Sequence, residues 1–301
     1  MILAKGKIAK KPYELSYLGQ NIYSIEELCY VIYHNIYGIN EEFFQTSLAK
    51  WMKEELGLKD TDIYGMDLFL YNRMGAVRWG SNREFIGCPR LDDLQCAFSS
   101  MEGFLQGNRE ESISVHCVLD NEEVGSSTRQ GAASAFLKDT LMRINMGLGR
   151  TQEEYYMALA DSFMISADNA HALHPNYTDK TDPVNRPVLN GGIVIKYNAN
   201  QKYCTDGVSA AIFKDICDRA KVPYQTFVNR SDMAGGSTLG NISNTQVPVK
   251  TVDIGLAQLA MHSAMETASC KDAEYMAKAQ MRKEHLSLIH ISEPTRPISI
   301  S

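Results

Sequence analysis

Asp120, Glu122 and Glu123 stand together at the end of an apolar run, followed by Gly125 and two serines. The run, residues 113–119, reads as a buried strand, and a helix is expected from about 130 to 146. Acidic side chains at the carboxyl end of a strand, in a strand–loop–helix unit, lie where open α/β sheets keep their sites. Adjacent glutamates are costly to hold together unless positive charge lies between them. A divalent cation would supply it, with one carboxylate ligating and its neighbour acting as base toward the water that the metal activates. A solvated acidic turn would contain the same residues.

Other strand ends deliver similar groups: Asp92, then Asp168 with His171, then His262. Each alone has an ordinary explanation, as a helix cap or a satisfied histidine. Together they make the carboxylate and imidazole set that a dinuclear hydrolase needs, with one carboxylate bridging two cations about 3.5–4 Å apart. Zinc accepts such nitrogen and oxygen ligands.

Spacing supplies the elements that must position these groups. Ser24 with Glu27 forms a capping box for a helix over 24–37, and Asn40 can cap a second over 41–56 that Gly57 ends. The texture then changes. Strands are expected at 66–71, 77–79 and 84–86, then a helix over 94–105. After the central strand and its helix come a helix over 151–160 and a strand at 162–166. Further strands at 192–197, 225–228 and 249–254 alternate with helices at 207–220 and 271–282. Alternation of this kind implies an α/β fold with a mixed, mostly parallel central sheet sandwiched by helices, preceded by an N-terminal helical hairpin.

Composition narrows the partners. A net charge of −6 argues against nucleic acid, because no basic excess is available for phosphates. No apolar run reaches the length of a membrane span and no signal peptide opens the chain, so no membrane partner is expected. Seven cysteines without CxxC pairs suit reduced thiols and a cytoplasmic location, and exclude a zinc ribbon.

Pro89-Arg90-Leu91-Asp92-Asp93-Leu94, Asp120-Asn121-Glu122-Glu123-Val124-Gly125-Ser126, Ser166-Ala167-Asp168-Asn169-Ala170-His171, Arg230-Ser231-Asp232 with Gly236-Ser237-Thr238, and Met261-His262-Ser263 follow one another in the order and spacing of the aspartyl aminopeptidase family. The resemblance covers roughly residues 63–279 and implies a zinc-exopeptidase-like fold with two zinc ions per subunit. It implies that Asp92 bridges the metals, that Glu123 and His262 complete one site, that Asp168 serves the other, and that Glu122 is the general base. His171, Lys196 and Tyr203 match the family's substrate-contacting positions. The implied substrates are peptides with an acidic N-terminal residue, and the implied assembly is a large homo-oligomer. From charge alone, Lys196 would be an ordinary strand-end cation.

The chain also departs from that pattern. The family's histidine-bearing strand, in a His-Thr/Ile-Asp-Ser-Pro context, is absent, and His34 lacks that context. A histidine lent by a neighbouring subunit is likewise missing. Residues 1–59 form a separate helical module, 60–88 a remnant of dimerisation-domain strands, and 89–283 an incomplete catalytic core. The last stretch, 284–301, resembles a translated sequencing-adapter read-through and is expected to be unstructured. The expected outcome is one well-furnished zinc site and one that lacks its imidazole. A catalytically inactive fragment or fusion that keeps the fold for assembly, and a related dinuclear hydrolase acting on another amide, are the competing readings.

Overall fold

The computed structural model describes residues 2–4, 7–9, 63–66, 72–107, 112–233, 235–281 and 287–292. The chain divides into two units, residues 1–70 with 299–301 and residues 71–298. In the first unit, β1 (Ile2–Ala4), β2 (Lys7–Ala9) and β3 (Ile63–Met66) form an antiparallel sheet in the order β2-β1-β3. The stretch at the start of the chain, for which spacing gives no element, is thus partly strand. Pairing of β3 with β1 also crosses the expected boundary at residue 59. The helical hairpin expected over 24–56, and residues 67–71 of the strand expected at 66–71, lie outside the described residues.

Among its described residues the second unit holds two sheets. The larger has the order β10-β9-β11-β7-β14-β6. Its members are β6 (Val115–Val118), β7 (Ser162–Ala167), β9 (Ile193–Tyr197), β10 (Tyr224–Val228), β11 (Lys250–Gly255) and β14 (Ser287–Ser292). Only the β9–β11 pair is antiparallel; β10–β9, β11–β7, β7–β14 and β14–β6 are parallel. The mixed, mostly parallel α/β sheet is therefore as expected. The smaller sheet runs β4-β5-β13-β12-β8, from β4 (Val77–Trp79), β5 (Phe85–Cys88), β8 (Ala170–His171), β12 (Ala257–Leu259) and β13 (Glu266–Ser269).

Alternation along β7 explains the layers, because successive side chains of a strand point to opposite faces. Phe163 and Ile165 pack with Phe213 and Met276, from α4 (Gly207–Ala220) and α6 (Cys270–Gln280). Met164 points the other way, onto Leu137 and Leu159 of α2 (Phe136–Gly147) and α3 (Gln152–Ala160), and onto Leu239 of the short α5 (Leu239–Ser243). Every residue of β7 is buried, the small Ser162 and Ser166 along with the apolar Phe163, Met164, Ile165 and Ala167, as in a strand covered on both faces. Helix α1 (Leu94–Gln106) lies against α6, where a side chain at Gly103 would meet Gln280 and the Ala277 carbonyl.

Local chemistry fixes the helix ends. Thr151 and Glu154 close a capping box on α3, and Asp206 with Ser209 does the same on α4. Helix α4 stops at Lys221, which takes the left-handed conformation of a C-terminal cap.

Two expectations need correction. The run 113–119 is not a buried strand throughout: Cys117 and Leu119 are buried, but Ile113 and Val118 are exposed. Ile113 precedes β6, and within β6 successive side chains alternate, Cys117 turned inward and Val118 outward. The tail is also not wholly unstructured. Residues 287–292 pair with both β7 and β6, and Ser-Leu-Ile-His-Ile-Ser carries β-branched residues that suit a strand. Residues 293–301 lie outside the described residues.

Candidate metal centre

Three loops and a strand end converge on one place. Asp92 and Asp93 join β5 to α1, and the peptide between them is cis. Asp93 stands at the N-cap of α1 but makes no side-chain cap bond. Its carboxylate instead accepts the Asn169 N–H at 2.6 Å.

Glu122 and Glu123 sit in a tight loop after β6. Asn121 and Ser126 both adopt positive φ, 65° and 60°. The Gly125 N–H donates to the Glu122 carbonyl at 2.7 Å, and the Ser126 N–H to the Asn121 carbonyl at 2.9 Å. Gly131 is required where it stands: a Cβ there would lie 2.2 Å from the Ser126 carbonyl oxygen. The loop is thus closed on itself by backbone bonds, which fixes where the two glutamates emerge.

His262 lies between β12 and β13 at φ 65°, an uncommon conformation for a residue with a Cβ. Its Nε2 is 3.0 Å from Asp92 Oδ2 and 2.9 Å from Glu123 Oε1. The three side chains offer ligand atoms within 4.8 Å of one another. Asp92 is buried, the Glu123 side chain is 24 % exposed and that of His262 50 % exposed. Hydrogen bonds to Asp92 and Glu123 lift the imidazole to about 10. At Asp92 burial is the largest influence and opposes the charge, but bonds from His262 and Asp93 with the charges of His262 and Lys196 together hold the carboxyl below its usual value. An imidazolium here occupies the place of a cation between two carboxylates. The donor set, one nitrogen with carboxylate oxygens at a partly open position, fits zinc.

A second group shares Asp92. Asp92, Asp93 and Asp168 also bring ligand atoms within 4.8 Å, and among the described residues this group holds carboxylates only. Burial first, then the Asp168 and Asp92 charges, push Asp93 well above the carboxylate range. Asp168 is raised by burial, with Lys196 opposing. Lys196 is 3 % exposed, and its Nζ donates to the Asn169 carbonyl at 2.7 Å and lies 3.3 Å from Asp168 Oδ1. Burial is the largest influence and disfavours this ammonium, yet the charges of Asp168, Tyr203, Asp93 and Asp253 together outweigh it and raise the group. Charge alone reads Lys196 as a solvated strand-end cation; instead it is a buried partner of Asp168. Lysine at the fourth position of β9, among Ile193, Val194 and Ile195, is the sequence signal for this.

The remaining candidates border the same space. The Lys196 Nζ lies 5.6 Å from the Tyr203 ring, and Tyr203 is buried with its hydroxyl 3.4 Å from Asn229 Nδ2. Glu122 is pushed up to about 8 by burial and then by the Asp168, Glu123 and Asp92 charges. His171 is lowered, first by burial and then by Lys196, with Asp92 and His262 also acting on it. All eight residues singled out from sequence therefore interact within one region.

Three further residues organise it without having been assigned a role from sequence. Asn169 is buried and spends its amide on Leu91, Gln95 and Gln258 while its backbone binds Asp93 and Lys196. Asp93 contacts both neighbouring acids. Glu266 receives N–H bonds from Leu91, Asp92 and His262. The available signal was adjacency: Asp93 follows Asp92, and Asn169 follows Asp168.

A mixed α/β sheet carrying carboxylates and one imidazole at its loop ends defines the zinc-exopeptidase architecture. The chain belongs to the M18 family of aminopeptidase I zinc metalloproteases, which it matches over residues 21–281. It is 44 % identical over 242 residues to a probable M18 family aminopeptidase 2 of Clostridium acetobutylicum, an alignment covering 80 % of this chain and 56 % of that protein. A Pseudomonas syringae protein of the same name is 40 % identical over 235 residues, 78 % of this chain and 54 % of its own. Among solved structures, yeast aminopeptidase 1 superposes with a TM-score of 0.66 at 28 % identity, covering 78 % of this chain and 54 % of the other. The chain thus spans about half the length of the curated relatives it matches.

Proposed function

We propose that this chain is the catalytic part of a zinc aminopeptidase that removes acidic residues from peptide amino termini. The observation that carries the reading is the position of His262 Nε2, within 3.0 Å of both Asp92 and Glu123. Asp92, Glu123 and His262 would hold one zinc, and Asp92 with Asp168 would contribute to a second. Zinc, when bound, supplies Lewis acidity toward the scissile carbonyl and a water.

Glu122 is the base that takes the proton from the attacking water and returns it to the leaving amine. Its loop holds it beside the cluster, and its environment favours proton uptake. Lys196 and Tyr203, with His171 at the rim, line the side on which a substrate carboxylate would be received; an ammonium and a phenol are its natural donors. Six described cysteines that form no disulfide with one another fit a reducing, cytoplasmic setting. A homo-oligomer is proposed because a yeast relative at 26 % identity is a dodecamer. Among the described residues no helix is long and apolar enough to cross a membrane.

A second reading is favoured by the Asp92–Asp93–Asp168 group, which has no imidazole among the described residues and already faces Lys196. On that reading the chain keeps the fold and one metal site but does not turn over. Hydrolysis of aspartyl-anilide and leucyl-anilide by the zinc-loaded chain separates the two. Preferential aspartyl turnover that falls about 10²–10⁴-fold in Glu122→Gln supports the enzyme. Zinc binding with no turnover supports the inactive form, and leucyl preference removes the acidic specificity.

A further inference from the structure

The geometry points to Glu266 as the positioning residue that sets the His262 cluster. Glu266 opens β13 and is buried. One carboxylate oxygen accepts the Leu91 and Asp92 N–H groups at 2.5 and 3.1 Å. The other accepts the His262 N–H at 2.8 Å. One side chain therefore clamps the backbone of two cluster residues that stand 170 positions apart in the chain. These bonds fix the peptides from which the Asp92 and His262 side chains project.

The chemistry needs a carboxylate. Three N–H donors converge, and only an ionised acid offers two oxygens with no donor of its own. Such charge-assisted bonds are short and roughly twice as strong as neutral ones. The His262 backbone at φ 65° requires holding, and Ala260 nearby is also left-handed at φ 57°. Glutamine would keep the shape but not the match. Its oxygen could serve the Leu91–Asp92 side or the His262 side, and its amide group would face a donor on the other. The inference rests on the zinc assignment above and deepens it: β13 supplies the brace while the loops supply the ligands.

The test is zinc affinity of the full chain, measured by competition with a chromophoric chelator well below the melting temperature, with the cobalt(II) visible spectrum as a second readout. Glu266→Gln is expected to lose zinc affinity about 10–100-fold, the usual cost of removing an outer partner of a ligand, and to shift the cobalt spectrum. A role confined to stability would lower the melting temperature and leave both readouts unmoved. Affinity within twofold of wild type, with an unchanged spectrum, overturns the inference. If the variant does not fold, amide exchange in the metal-free wild type decides. Protection of the Leu91, Asp92 and His262 N–H groups supports the brace, and open-loop exchange rates overturn it. Wild type that binds no zinc sinks the metal assignment itself, while amide exchange still reports on the brace.

Discussion

The two halves of the acidic centre solve one electrostatic problem with different cations. On one side Asp92 and Glu123 face an imidazole that is half exposed. On the other, Asp168 faces an ammonium that is almost fully buried. An imidazole can surrender its proton and become a ligand, so that side can exchange a proton for a metal. A lysine ammonium has no lone pair to offer while charged, and Asp168 keeps it charged. On the proposed reading, the same acidic density admits a metal readily where the counter-charge is removable and less readily where an ammonium already neutralises Asp168.

The contrast can be broken most severely at the imidazole. His262→Ala should abolish tight zinc binding, a loss beyond the roughly 100-fold that an outer partner costs, as read by chelator competition. Retention of tight zinc would show that Asp92 and Glu123 suffice. Next in size is Lys196→Met, which leaves the partly buried Asp168 uncompensated. It should cost about 3–5 kcal/mol in chemical denaturation and leave the affinity of the first zinc within a fewfold. A stable variant would mean that Asp168 does not depend on its ammonium.

Smaller still is an effect outside the cluster, which calibrates what burial of an acid does without a cation. Asp272 accepts the Asn190 and Gly192 N–H groups at 2.8 and 2.9 Å, and burial pushes its carboxyl up to about 6. Because the folded value lies above the unfolded one, the contribution to stability is full below the ordinary value and is lost as pH rises through about 6. The stability of wild type relative to Asp272→Asn should therefore fall between pH 4 and pH 7 by up to a few kcal/mol. A difference independent of pH would refute the shift.

Much of this centre was legible because its acids and imidazole occur at strand ends, where apolar runs stop abruptly. Asp92, Glu123, Asp168 and His262 stand out in that way, and the large sheet follows from the alternation of strands and helices. Legibility failed where a residue's role depends on partners distant in the chain. Lys196 looks like any cation until Asp168 and the Asn169 carbonyl are seen beside it. Glu266 looks like a strand-opening acid until three distant N–H groups converge on it. Strands β8, β12 and β13 are two to four residues long, too short for a period to show, and they exist through pairing with one another and with β5. The run 287–292 carries no periodicity of its own; its strand form comes from pairing with β7 and β6 on either side.

The most direct measurement is zinc stoichiometry of the purified full chain, titrated against a competing chelator alongside His262→Ala and Asp168→Asn. The expected result is one tight equivalent per chain, lost in His262→Ala and kept in Asp168→Asn. None at all, or one that disappears with Asp168→Asn instead of His262→Ala, would contradict the assignment of Asp92, Glu123 and His262 as the working metal site, and two tight equivalents would contradict the weakness expected of the Asp168 side.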